Sequence, residues 1–188
     1  MMSHNERMKI TINHKQFERI IDYSQIKKRI RLIGIQLNLA YENQHPIFIG
    51  VLNGCFMVMA DLMKQIHIAS EISFIKLSSY EGTARRDRVS ELIGLDHNLE
   101  GRDVIVVEDI VDTGHSLKHT LDAIYAQNPA SVAVCTLLLK PNALQHTFDN
   151  IAYVGFEIDN EFVVGYGLDY QGLGRTLPDI YREIPPGP

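Results

Sequence analysis

A chain of 188 residues fits one domain and is long enough to bury a full core without help from disulfides or a structural metal. Its 18 Lys and Arg against 23 Asp and Glu give a formal net charge of -5, which supplies no long-range pull toward nucleic acid. The start, MMSHNERMKI, has no apolar leader core, and no run of about 18 apolar residues follows that would suit a membrane span. The expectation is a cytoplasmic protein without nucleic-acid or membrane partners. Its two cysteines, Cys55 and Cys135, read as small buried hydrophobes rather than a disulfide or zinc site.

In chain order, Ile26, Ile30, Ile33, Leu37 and Ala40 recur at helical spacing, predicting an amphipathic helix over 22–42. Pro46 punctuates the chain, and the apolar run 47–52 predicts a strand covered on both faces, stopped by Asn53-Gly54. A crossover helix is predicted over 56–66, with Met57, Met59 and Met63 suited to core or a subunit interface. Strands are predicted over 71–77, 104–107, 132–139 and 151–156, and a helix over 115–127. The stretch 78–99, with Arg85, Arg86 and Arg88, is too polar for core and reads as a long loop or lid. This rhythm predicts an α/β fold with a mostly parallel, doubly wound sheet, helices on both faces and right-handed crossovers.

The chemistry concentrates where the strand over 104–107 runs out. Two carboxylates, Glu108 and Asp109, are followed by two apolar residues, by Asp112, and by Thr113-Gly114-His115-Ser116 opening a helix. The carboxyl end of a parallel strand is where ligands bind, and a helix start there presents unpaired amides and partial positive charge. Gly114 allows close approach of a ligand, and the hydroxyls of Thr113 and Ser116 add donors, so the segment reads as a phosphate cradle. Neither a G-x-x-x-x-G-K-[ST] nor a G-x-G-x-x-G is present, which argues against a P-loop and a dinucleotide fold. Carboxylates beside a phosphate must have another task. Glu108 and Asp109 can hold the two hydroxyls of a ribose, directly or through a divalent cation, with Asp112 facing the reacting carbon.

The run from Val107 to Gly114 resembles the phosphoribosyl pyrophosphate motif of type I phosphoribosyltransferases. Other segments resemble the hypoxanthine-guanine branch of that family: 50–62 its pyrophosphate loop and helix, Ser78-Ser79-Tyr80 the start of its active-site loop, Leu137–Lys140 its purine-reading lysine, and 161–170 with Arg175 its purine and pyrophosphate segment. The resemblance implies transfer of a phosphoribosyl group to a 6-oxopurine, with Mg2+ as cofactor. It implies a single domain with a core of about residues 20–156 and a small hood from 1–20 and 157–188, assembled as a homodimer or homotetramer. Glu108 and Asp109 would hold the ribose diol and, with Asp169, the metal; Asp112, Thr113, Gly114, His115 and Ser116 would hold the 5'-phosphate. Asp112 would take the purine proton, Lys140 would donate to the 6-oxo group, Phe162 would stack on the base and Val163 would offer main-chain contacts. Arg175 and the loop Leu52-Asn53-Gly54 would meet pyrophosphate, and Ser79 and Tyr80 would close over the site. Asn53 stands where the family usually has Lys or Arg, in a loop that often carries a cis peptide and binds anions mainly through its main chain.

Several of these residues also have blander readings. An acidic pair after a strand is by itself most often a solvated turn, Lys140 before Pro141 a strand end at the surface, and Phe162 a core residue. His115 reads as a helix-opening residue contributing its backbone amide. The rival for the whole chain is a phosphoribosyl pyrophosphate-sensing regulator without transferase activity, which usually needs a helix-turn-helix or a basic face that this sequence lacks.

Overall fold

A computed structural model describes residues 8–79, 89–94 and 97–185. The elements begin with β1 (Lys9–Ile12), β2 (Lys15–Ile21), α1 (Tyr23–Ala40), β3 (Ile47–Val51), α2 (Phe56–Met63) and β4 (Glu71–Ser79). They continue with β5 (Val89–Ile93), β6 (Asp103–Val111), α3 (His115–Tyr125), β7 (Ser131–Leu139), β8 (Ile151–Glu157), β9 (Val163–Val164) and β10 (Ile180–Glu183).

The main sheet runs in the order β5-β4-β3-β6-β7-β8. Its five strands β4, β3, β6, β7 and β8 are parallel, and β5 pairs antiparallel on the edge. Helix α1 begins where Asp22 caps it, with Gln25 completing a reciprocal capping box. Its stripe Ile26, Ile30, Ile33 and Leu37 packs with Val58, Met59 and Leu62 of α2 on the sheet face formed by Phe48, Ile105 and Val107. The other face, with Ile47, Ile49, Val104 and Val106, is covered by Leu117, Leu121 and Ile124 of α3. Strand β3 is buried at every residue because both layers close over it. Cys55 and Cys135 are free and buried. Among the described residues, no helix is long and apolar enough to cross a membrane.

A second, antiparallel sheet has the order β1-β2-β10-β9. It packs against the α1 and α2 side, where Ile21, Val163, Tyr166, Leu168 and Ile180 join the same core as Phe48 and Leu137.

The structure corrects three readings of the sequence. The strand predicted to end at Leu77 continues to Ser79, and the stretch read as a loop from 78 contains β5, whose Val89 and Ser90 pair with Ser79 and Ser78. Tyr80 and the arginines at 85, 86 and 88 lie outside the described residues. The strand predicted to end at Val107 extends to Val111, because β7 keeps pairing beside it, Glu108 opposite Thr136 and Val111 opposite Leu139. The acids therefore sit on strand rather than in a solvated turn.

Candidate active site

Strand β3 leads through α2 to β4 on one side, while β6 leads through α3 to β7 on the other. The carboxyl ends of β3 and β6 thus part at the point where chain order reverses, which is where open α/β sheets form their ligand crevice. A cleft of about 280 Å³ lies there, lined by Val51, Leu52 and Gly54 after β3 and by residues 108–114, 116 and 117 after β6. Leu52, Gly54, Glu108, Asp109, Asp112, Thr113, Gly114 and Ser116 are thereby brought together.

The turn 112–116 has the form that a phosphate cradle requires. Gly114 has a left-handed φ of 86° at the start of α3, and no side chain caps the helix, so its first amides point open at the cleft. A side chain at Gly114 would run into the Phe148 ring, with Leu144 in ordinary contact beside it. The Thr113 carbonyl accepts from the Gln145 amide at 2.9 Å. The segment 144–148 therefore forms the back wall of the turn, a support that the sequence reading missed. It also engages the His115 side chain, which was expected to contribute only its amide. His115 Nε2 lies 2.9 Å from Gln145 Oε1, and His115 Nδ1 lies 2.9 Å from His146 Nε2. Facing a carbonyl oxygen makes Nε2 the donor, which leaves Nδ1 to accept from His146.

Glu108 is buried, and burial first, then the charge of Asp109, pushes its carboxyl well above the ordinary carboxylate range. Burial also raises Asp109, to about 6, against the lowering effect of the Ile110 amide that donates to its Oδ1 at 2.9 Å. Two such acids, neither in a salt bridge among the described residues although the Arg175 charge acts on Asp109, suit a ligand that brings hydroxyl donors or a hard cation.

Asp112 has a partner from the next strand. The Lys140 amide donates to the Val111 carbonyl at 3.0 Å, extending the β6–β7 pairing and placing the lysine beside Asp112. Lys140 Nζ lies 2.6 Å from Asp112 Oδ2, with the lysine side chain only 7% exposed and the aspartate 45%. Lys140 is thus not a surface strand end but a held cation inside the site.

The remaining candidates come from the layer above. Gly54 sits so close to the Asp109 carboxylate that an added Cβ would collide with it, and a Cβ on Gly167 would collide with the Gly54 carbonyl. The Arg175 guanidinium donates to the Gly167 carbonyl at 2.6 Å and meets Asp169 Oδ1 at 2.5 Å. Asp169, expected as a metal ligand, is therefore engaged by Arg175 and by the Gly172 amide, which donates to Oδ2 at 2.7 Å. The loop 52–54, expected to meet pyrophosphate, contains a cis peptide between Leu52 and Asn53, with the Asn53 side chain exposed. Phe162 is 44% exposed and so is not core. Its ring meets Tyr170 edge-on at 5.9 Å, and its carbonyl accepts from the Glu183 amide at 2.8 Å. Val163 is buried on β9 and pairs with Arg182. Ser79 ends β4, opposite Val89.

Known proteins resemble this chain in sequence and in fold. The phosphoribosyl transferase domain family matches residues 17–171. The hypoxanthine phosphoribosyltransferase of Escherichia coli K12 is 38% identical over 170 residues, covering 89% of this chain and 95% of the relative. The bifunctional protein TilS/HprT of Listeria innocua is 40% identical over 169 residues, and the chain spans 26% of that relative's length. A crystal structure of a hypoxanthine phosphoribosyltransferase from Staphylococcus aureus superposes with a TM-score of 0.83 at 36% identity, covering 89% of this chain and 91% of that one. With the switch-point cleft, the open helix start and the acids of β6 in the matched region, the chain belongs to the phosphoribosyl transferase domain family.

Proposed function

We infer that this chain transfers the 5-phosphoribosyl group of phosphoribosyl pyrophosphate to a 6-oxopurine base, hypoxanthine or guanine, giving a nucleoside 5'-monophosphate and pyrophosphate. The observation that carries this reading is the cleft in which the open amides of the 112–116 turn, the acids of β6 and Asp112, with Lys140 paired behind it, converge.

In this reading the turn from Asp112 to Ser116 holds the 5'-phosphate, and Glu108 and Asp109 accept from the ribose hydroxyls. Lys140, fixed at the end of β7, donates to the 6-oxo group, an acceptor that adenine lacks. A ring nitrogen of the base bonds to the anomeric carbon as the carbon–oxygen bond to pyrophosphate breaks, through oxocarbenium character. The proton shed at N7 passes to the Asp112 carboxylate. Phe162 offers an exposed ring for the base, and Arg175 and the main chain of Leu52, Asn53 and Gly54 receive pyrophosphate. Ser79 and Tyr80 begin the segment that closes over the site and excludes water. Among the described residues, no three His, Cys, Asp or Glu side chains come together to hold a metal ion. Mg2+ binds through one or two carboxylates together with substrate oxygens, and Glu108, Asp109 and Asp169 are the candidates from which those would come, Asp169 only after leaving Arg175. Held by those acids, Mg2+ would supply positive charge opposite the departing pyrophosphate. The protein is proposed to act in the cytoplasm as a homodimer or homotetramer, as one domain with its hood.

Purified protein mixed with magnesium, phosphoribosyl pyrophosphate and each base in turn should yield monophosphate from hypoxanthine or guanine. Product from adenine or uracil alone overturns the 6-oxopurine assignment, and none from any base favours the regulator. Lys140→Ala should raise the KM for the purine about tenfold and leave that for phosphoribosyl pyrophosphate near wild type; unaltered purine kinetics would remove Lys140 from the base site.

A pH dependence follows from Asp109. Its folded value of about 6 lies above the ordinary carboxylate value of 3.8, so the group is protonated below that point and charged above it. A ligand that needs the carboxylate must expel the proton. Affinity for phosphoribosyl pyrophosphate should therefore rise as pH increases from about 5 to about 7, and a flat KM across that window would count against Asp109 as an acceptor.

A further inference from the structure

Outside the cleft, Asp61 of α2 is a mostly buried charge with no part in the reaction described so far. Its side chain is 19% exposed, and its Oδ1 meets Lys64 Nζ at 2.8 Å. Its Oδ2 accepts from the Tyr166 hydroxyl at 2.6 Å and from the Tyr23 hydroxyl at 3.4 Å. Burial opposes its charge, but the hydrogen bonds from Lys64 and Tyr166 outweigh it and hold the carboxyl below its ordinary value.

Tyr166 is fully buried, yet its backbone has a left-handed φ of 49° between Gly165 at 99° and Gly167 at 103°. A residue with a Cβ resists that conformation, so the surroundings must hold it there. What Tyr166 holds is the layer over the pyrophosphate loop, because Gly167 presses on the Gly54 carbonyl and receives Arg175 on its own carbonyl. The loop on the other side of that contact leads directly into α2, the helix that carries Asp61.

We propose that Asp61 is a positioning residue: through its hydrogen bond to Tyr166 it ties α2 to the turn 165–168 and so fixes the spacing between Gly54 and Arg175. Loop and turn are then two jaws of one clamp, with Asp61–Tyr166 as the strut between them. The proposal deepens the phosphoribosyl transfer reading and rests on it, since the clamped groups are those assigned to pyrophosphate.

The test compares Tyr166→Phe, Asp61→Ala, Asp61→Asn and Lys64→Ala with wild type, by steady-state kinetics, by calorimetry with inorganic pyrophosphate and by thermal unfolding. Tyr166→Phe and Asp61→Ala should raise the KM for phosphoribosyl pyrophosphate and the Kd for pyrophosphate about tenfold, with the KM for hypoxanthine within about twofold of wild type. Asp61→Asn, which keeps an acceptor for the tyrosine, should lose only about twofold, and Lys64→Ala should match wild type. Unchanged constants in Tyr166→Phe and Asp61→Ala overturn the proposal, as does an equal rise in both substrates' KM values accompanied by a fall in Tm. If Tyr166→Phe does not fold, the same comparison on the two Asp61 variants decides. A wild-type protein that binds no pyrophosphate and makes no monophosphate overturns the transfer reading itself; an active wild type with unaffected variants overturns only the strut.

Discussion

Replacing Asp112 with asparagine should lower kcat by about 10²- to 10⁴-fold, the range for loss of a positioned general base, while affinity for phosphoribosyl pyrophosphate changes far less. The substitution keeps the shape of the turn and an oxygen near Lys140, so the phosphate amides stay in place. It removes the proton acceptor and also the charge that faces a buried ammonium 2.6 Å away. A hydrogen bond to a charged group contributes about 1.5–3 kcal/mol, so the unliganded variant should also unfold at a lower temperature. Stopped turnover with an unchanged KM for phosphoribosyl pyrophosphate would separate the two roles. Equal losses in kcat and in affinity would make Asp112 mainly a binding residue.

The second large effect is expected at a glycine remote from the transferred proton. Gly167→Ala should lower kcat/KM for phosphoribosyl pyrophosphate about 100-fold, because a shift of about 1 Å in a positioning element is enough to cost that much. Gly167 has a φ of 103°, which an alanine adopts only under strain, and its new methyl group would land on the Gly54 carbonyl. Both atoms in the collision are close to backbone, so no flexible side chain can swing aside. The loop 52–54 must then move away from Arg175 or press harder on Asp109. A loss below about threefold would show that the two loops slide past each other freely.

The parts of this molecule that the sequence makes legible are those whose signal is local. The all-apolar run of β3, the stripe of α1 and the acids before Thr113-Gly114 each carry their meaning within about a dozen residues. Strand β6 was read too short because carboxylates normally mark a strand's end, and nothing local reveals that Thr136 and Leu139 keep pairing beside them. Strand β5 was absorbed into a supposed loop, since Val89, Leu92 and Ile93 do not alternate with polar residues. The burial of Lys140 goes with its amide bond to Val111 of β6 and its ion pair to Asp112, the latter 28 positions away. The Asp61–Tyr166 bond spans 105 positions, and its two ends look like an ordinary helix acid and an ordinary tyrosine in a glycine-rich turn.

The small sheet places β10 between β2 and β9, so its two flanking strands do not pair with each other. During synthesis Lys15–Ile21 emerges early and waits across most of the chain for Ile180–Glu183 to join it to Val163. The parallel sheet with its phosphate turn can be complete while the roof that carries Phe162 still hangs open. The roof can therefore close only after Ile180–Glu183 has left the ribosome.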